Sequence, residues 1–186
     1  GNGGAITFKN VSTNSIFTCD FINNAASLNG GAVNYRETPE NIIFNANFIN
    51  NTAKTGGGVN FFVTFDVIFN GEFIGNSAEN GGALAAGYGN VKNVSFKNNH
   101  AKNDGGAVYF ALSGETVNCN FTNNRATNSG GAVYFTNNGT VSNCNFTGNT
   151  ATGYGGAIRM TSGNVSNSNF AGNTVFGEDG YGGGAL

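Results

Sequence analysis

Few side chains in this sequence have the chemistry to break a bond or hold a metal, and they lie far apart. The best carboxylate pair is Asp20 and Glu72. Each stands immediately before a phenylalanine of a repeated motif, so the two share one column of the repeat, two turns apart. Two turns are roughly 10 Å by strand spacing, whereas an inverting glycosidase holds its carboxyl groups about 6.5–9.5 Å apart. Asn47 is the member of the column between them, and no Arg, Lys or His shares it. A solvated outer face explains the pair better than catalysis does. Asp66, between Phe65 and Val67, reads as an outward strand residue.

His100 is the only histidine, and one imidazole makes neither a catalytic dyad nor a metal site. It shares a variable position with Ala25, Thr52, Ser77, Arg125 and Thr150, which reads as an exposed bend. Three cysteines are too few for a disulfide framework and wrongly spaced for zinc. Cys19, Cys119 and Cys144 share a column with Ala46, Gly71, Val94 and Ser168, so they read as small core residues. Cys119 and Cys144 fall on adjacent turns but point the same way, a poor geometry for a disulfide. No helix pattern follows the glycine strings, so they are neither Rossmann nor P-loop motifs. The calcium-binding nonapeptide repeat is absent as well. No catalytic residue, cofactor or metal ligand is expected, and the chain does not read as an enzyme.

Composition agrees. Of 186 residues 31 are Gly, 35 are Asn and 17 are Phe, yet only 10% are charged, against about 25% in an ordinary domain. Asn, Ser and Thr supply the polarity, and the aromatic content is too high for a disordered chain. Eight Lys and Arg and a net charge of −2 make no basic patch, which argues against nucleic acid. No apolar run is long enough to span a bilayer, so the chain is not expected to be membrane-embedded. The opening Gly1-Asn2-Gly3-Gly4 lacks the make-up of a signal peptide, so a secreted protein would carry its targeting segment elsewhere.

The elements that place these residues come from an internal repeat. Phe-x-x-Asn recurs at Phe21, Phe48, Phe73, Phe96, Phe121, Phe146 and Phe170, with successive spacings of 27, 25, 23, 25, 25 and 24. Its asparagines are Asn24, Asn51, Asn76, Asn99, Asn124, Asn149 and Asn173. Gly-Gly-Ala plus an aliphatic residue interleaves, starting at Gly3, Gly30, Gly81, Gly105, Gly130, Gly155 and Gly183, with a Gly-Gly-Gly-Val version at Gly56. Between the motifs run short alternating stretches such as Val33/Tyr35, Val108/Phe110 and Ile158/Met160, the period of half-buried strands.

About 25 residues can hold one coil of a β-helix. The reading is an all-β, right-handed parallel β-helix of about seven coils, a rod roughly 34 Å long at the ordinary strand spacing. The chain forms a single segment, residues 1–186. The motif asparagines are expected to form an inward ladder. The Asn or Gly before each of them marks a left-handed turn, and Ala26, Ala53, Ala78, Ala101, Ala126 and Ala151 mark a crowded inward site. A second column, Thr18, Asn45, Asn70, Asn93, Asn118, Asn143 and Asn167, lies where strict alternation fails, so a corner or bulge is expected there.

The paired motifs resemble the repeats of chlamydial polymorphic outer membrane proteins and of adhesin-like surface proteins of methanogenic archaea. The resemblance runs over essentially the whole chain. It implies a right-handed parallel β-helix on a cell surface, serving adhesion. The chlamydial proteins add a C-terminal autotransporter barrel, which this sequence does not show. Both ends fall in partial repeats without a cap, so a piece of a longer array is expected. An extracellular protein could carry N-glycans at Asn10, Asn50, Asn93, Asn120, Asn138, Asn145 and Asn164. The expected partner is an unidentified cell-surface or glycan ligand. Self-assembly into a filament or sheath by end-to-end coil stacking and a polysaccharide lyase or hydrolase are the alternatives. The two bends of distinct character, Arg36-Glu37-Thr38-Pro39-Glu40 and Phe176-Gly177-Glu178-Asp179-Gly180-Tyr181, read as solvated turns.

Overall fold

The structure, a computed structural model, describes residues 1–177 and 184 apart from Ser12 and Pro39. Most of the partial repeat at Gly183 and most of the Phe176–Tyr181 bend therefore lie outside the described residues, as does the side chain of Asp66. The described elements are all strands: β1 (Ile6–Lys9), β2 (Thr13–Phe17), β3 (Asp20–Ile22), β4 (Val33–Arg36), β5 (Glu40–Phe44), β6 (Asn47–Ile49), β7 (Val59–Ile74), β8 (Ser77–Ala78), β9 (Leu84–Lys97) and β10 (His100–Ala101). They continue with β11 (Val108–Val117), β12 (Asn120–Thr122), β13 (Arg125–Ala126), β14 (Val133–Ser142), β15 (Asn145–Thr147), β16 (Thr150–Ala151), β17 (Ile158–Ser166), β18 (Asn169–Ala171) and β19 (Thr174–Val175).

Every strand pairing is parallel, and like residues pair with like. Phe21 faces Phe48, Phe48 faces Phe73, and Phe96 faces Phe121. The long sheet runs β1-β4-β7-β9-β11-β14-β17, and a five-stranded sheet runs β19-β16-β13-β10-β8. Seven levels of strand make about six full turns of a parallel β-helix, close to the expected seven coils.

Three left-handed corners close each coil. The second asparagine column is one of them: Thr18, Asn45, Asn70, Asn93, Asn118, Asn143 and Asn167 all have φ between 47° and 56°. The residues two after each Phe form another, from Asn23 at φ 58° to Gly172 at φ 62°. The first glycine of each Gly-Gly pair is the third corner. A side chain with a Cβ is strained in this region, and Asn tolerates it because its short amide bonds locally. The compositional excess of Asn and Gly is therefore a consequence of corner count.

Inside, register turns columns into stacks. Successive Phe rings from Phe21 to Phe170 lie 4.7–5.0 Å apart between centroids and within 19° of parallel, which is the strand spacing itself. Ile16, Ile43, Ile68, Val91, Thr116 and Val141 fill the next inward column, all buried. A second ring stack, Phe8–Tyr35–Phe61 and Phe110–Phe135, is interrupted at Ala86. That interruption falls in the shortest coil, where the register between β7 and β9 shifts after Phe61 and that between β11 and β9 after Phe110.

Two expectations are corrected. His100 sits in strand β10, paired with Ser77 and Arg125, and is partly buried. The residues after the corner extend for one more bridge pair before turning, so the position is not an exposed bend. Burial, followed by the charges of Arg125 and Lys102, lowers the His100 pKa. The bend at Arg36 is also only half a solvated turn. Arg36 and Glu37 pair in solvent, but Thr38 is buried, and its hydroxyl accepts a bond from Asn41 Nδ2 at 2.9 Å.

Candidate functional site

The motif asparagines line up along one axis inside the rod. From Asn51 to Asn173 each Oδ1 accepts from the backbone N and the Nδ2 of the asparagine one coil earlier, at 2.9–3.0 Å. From Asn51 onward each Nδ2 also donates to the carbonyl of the preceding coil's Phe, at 2.8–3.0 Å. Asn51, Asn76, Asn99, Asn124 and Asn149 are buried, with both donors and both acceptor sites occupied, the full capacity of an amide. Their role is structural, and they hold a corner rigid beneath the outer surface.

Outside that corner, two polar columns face solvent. Asn118 Nδ2 donates to Asn93 Oδ1, and Asn93 Nδ2 to Asn70 Oδ1, at 3.2 and 3.1 Å. In the column before the Phe, Asn47 Nδ2 donates to Asp20 Oδ1 at 2.8 Å and Asn145 Nδ2 to Asn120 Oδ1 at 2.9 Å. Between the columns lies a groove of about 600 Å³, walled by Asn45, Asn70, Asn93 and Asn118 on one side and Asn47, Glu72, Ser95 and Asn120 on the other, with Gly71 and Val94 at its floor. It is a strip of amides, rich in paired donors and acceptors and poor in charge.

The carboxylates Asp20 and Glu72 do share a column, with Asn47 registered between them. Asn47 bonds Asp20, and Glu72 lines the groove while Asp20 does not. The sequon asparagines Asn10, Asn50, Asn93, Asn120, Asn138, Asn145 and Asn164 are all exposed, and Asn93 and Asn120 sit in the groove walls. Among the described residues no group of three or more His, Cys, Asp or Glu is placed to hold a metal. No described helix is long and apolar enough to cross a membrane.

The cysteine column is not uniformly core. Cys119 and Cys144 are buried on adjacent coils and unlinked, with Cys119 N donating to Cys144 Sγ at 3.4 Å, while Cys19 is exposed. The Cys144 sulfur and burial both push the Cys119 thiol up, and the hydrogen bond with Cys119 draws the Cys144 thiol down to about 7. Burial, not ionisation, is what keeps both from a reagent in solvent. Ellman titration of the native chain is expected to find one fast thiol, removed by Cys19→Ser. The other two should appear only on unfolding. Two or three fast thiols would contradict the burial.

A second polar face escaped the sequence reading. On the outside of β11 and β14, Tyr109 and Tyr134 stack at 5.5 Å. Beside them Asp104 accepts from Ser129 N and Asn128 Nδ2 at 3.0 and 2.8 Å. Burial raises the Asp104 carboxyl against those bonds, and burial with the Asp104 charge raises the Tyr134 phenol. The available signal was the position after each Gly-Gly-Ala-aliphatic motif, where Tyr109 and Tyr134 succeed Asn34, Asn60 and Ala85.

The family model for the Chlamydia polymorphic membrane protein repeat matches residues 93–111, 118–136 and 143–160. Each match starts at an outer-column asparagine, Asn93, Asn118 or Asn143. It crosses the Phe-x-x-Asn corner and ends in the strand after Gly-Gly-Ala. These three coils are similar to the polymorphic membrane protein repeat. The matches recur once per turn of the rod, each starting at the asparagine corner and leaving the rest of the turn unmatched. No curated protein and no solved structure matches the chain.

Proposed function

We propose that the chain is an adhesive, structural β-helix module of a cell-surface protein. The observation that carries this reading is the match to the polymorphic membrane protein repeat over coils whose outer corners carry a column of asparagines, bonded to one another from Asn70 to Asn118. A rod of this kind projects an amide-rich surface at most of its levels. Its backbone is bonded to coils on both sides, which suits it to an exposed setting. An extracellular location would leave the exposed sequons open to glycosylation. On that reading several would carry glycans, and mass spectrometry of the naturally produced protein would find them.

The test is direct. Beads coated with the rod are expected to bind cells or a glycan-coated surface at physiological salt, well above beads coated with an unrelated β-helix. Binding no greater than that control on every surface tried would sink the reading. The polysaccharide-cleaving alternative has a separate readout: turnover that vanishes on Asp20→Asn or Glu72→Gln would establish it.

A further inference from the structure

The rod departs from its own repeat in one coil, and the departure is sculpted. The spacing from Phe73 to Phe96 is 23 residues, the shortest in the chain. One residue, Gly87, separates the paired positions Ala86 and Tyr88 of β9. Three separate Phe61 from Phe65 on β7, and two separate Phe110 from Ser113 on β11. The neighbouring coils therefore stand out on either side of Ala85-Ala86-Gly87. The result is a hollow of about 400 Å³, with Ala85 at its base, Tyr109 and Leu112 on one side, and Asn60 and Thr55 on the other.

The aromatic wall has a defined direction. Tyr109 stacks on Tyr134 along the rod axis, with ring planes within 15°. Its opposite ring face therefore looks down the axis toward the Ala85 level. Register places Asn60, Ala85, Tyr109 and Tyr134 in one column, on the side of the strands away from the aliphatic core. Asn60 and Ala85 are buried at the bottom of the hollow, and the two tyrosines are partly exposed. Ala85 is the place where a stacked ring is missing, and about 10 Å separates the Asn60 and Tyr109 levels. Across the gap Asn60 donates its Nδ2 to Asn34 Oδ1 at 3.0 Å, and its Oδ1 takes no bond from a described residue. Thr55 lines the same side of the hollow. An aromatic face opposite an amide acceptor and a hydroxyl suits a ligand with one flat C–H face and hydroxyls round its rim.

We propose that this notch is a saccharide-binding site, in which one neutral pyranose ring packs on Tyr109 in the gap that Ala85 leaves. It bonds Asn60 and Thr55 through its hydroxyls. The proposal deepens the adhesive reading and rests on it for its biological meaning.

The probes are cellobiose, maltose and N,N′-diacetylchitobiose, offered to the full chain in saturation-transfer NMR and in tyrosine-fluorescence titration, the chain having no Trp. At least one is expected to bind. Ala85→Tyr, which supplies the missing ring, and Tyr109→Ala, which removes the platform, should each weaken it at least about tenfold. Tyr109→Phe should bind as the parent does. Circular dichroism of Ala85→Tyr should match the parent. If the parent binds no probe, or if Ala85→Tyr binds as tightly as the parent, the site assignment falls. Bead adhesion separates the two levels. Beads that adhere equally with and without Ala85→Tyr keep the adhesive reading and overturn this site as its determinant. Sugar binding lost in Ala85→Tyr, on a rod that adheres to nothing, keeps the site and overturns the adhesive reading.

Discussion

Asn99→Ala is expected to destabilise the rod by roughly 3–6 kcal/mol, because it orphans three buried polar groups at about 1–3 kcal/mol each before relaxation. Asn99 Oδ1 accepts from Asn76 N at 2.9 Å and Asn76 Nδ2 at 3.0 Å, and Asn99 Nδ2 donates to Phe73 O at 2.9 Å. All three partners lose their bond. Asn124 Oδ1 is less affected, since it still accepts from Asn99 N. Denaturant unfolding measures the effect, and Asn173→Ala on the partly buried last rung should cost less. Asn99→Asp gives the sharper result. It keeps the shape and both acceptances, but sets a carboxylate oxygen against Phe73 O and Asn124 Oδ1, where two donations stood.

Burial raises the carboxyl pKa of such a group above its unfolded value of about 3.9. The folded form then binds more protons than the unfolded one between the two pKa values, so stability climbs as pH falls through the folded pKa. The Asn99→Asp variant should thus be more stable near pH 5 than near pH 7, opposite to a salt-bridged acid, while the Asn99→Ala variant shows no such gain. An Asn99→Asp rod as stable as the parent at pH 7 would contradict the saturated ladder.

The second large effect concerns Gly131, the second glycine of its Gly-Gly pair. A Cβ there would be driven into the Gly156 carbonyl oxygen and would lie 2.6 Å from Thr150 O. Both obstacles are main chain of the next coil, so no rotamer change relieves them. Gly131→Ala must therefore push adjacent coils apart, at a cost above about 4 kcal/mol, beyond ordinary overpacking. The melting temperature should drop by about 10 °C or more. The control is Gly172→Asn. Its φ is +62°, a Cβ meets nothing within 4 Å, and other members of the same corner column are Asn. It should be neutral. A Gly131→Ala rod melting like the parent would refute the close approach.

This crowding explains why Gly-Gly-Ala was visible in the sequence. Gly4, Gly31, Gly57, Gly82, Gly106 and Gly156 meet the next coil in the same way, so selection on one contact writes the same letter at every turn. The Phe stack, the inward asparagines and the second asparagine column were legible for that reason, since a column constrained by its own copies repeats. What escaped is what does not repeat. The notch depends on a two-residue shortening of one coil, and the Tyr109–Tyr134 face on two rings in a column otherwise held by Asn, Ala, Thr or Arg. Thr38 was misread because its partner, Asn41, stands beyond the bend in β5, and no other coil sets a Thr three residues before an Asn at this place. The location of His100 was misjudged because two-residue strands carry too little alternation to register.

The ladder has a consequence for how the molecule acquires its shape. Its rungs join residues 23–27 apart in sequence at every level, so the loop to be closed never lengthens as the rod grows. The entropic cost of adding a coil is the same for the last as for the second, and a longer array meets it in equal steps. Maturation can then track synthesis or export, each newly delivered stretch docking on a finished template before the following one arrives.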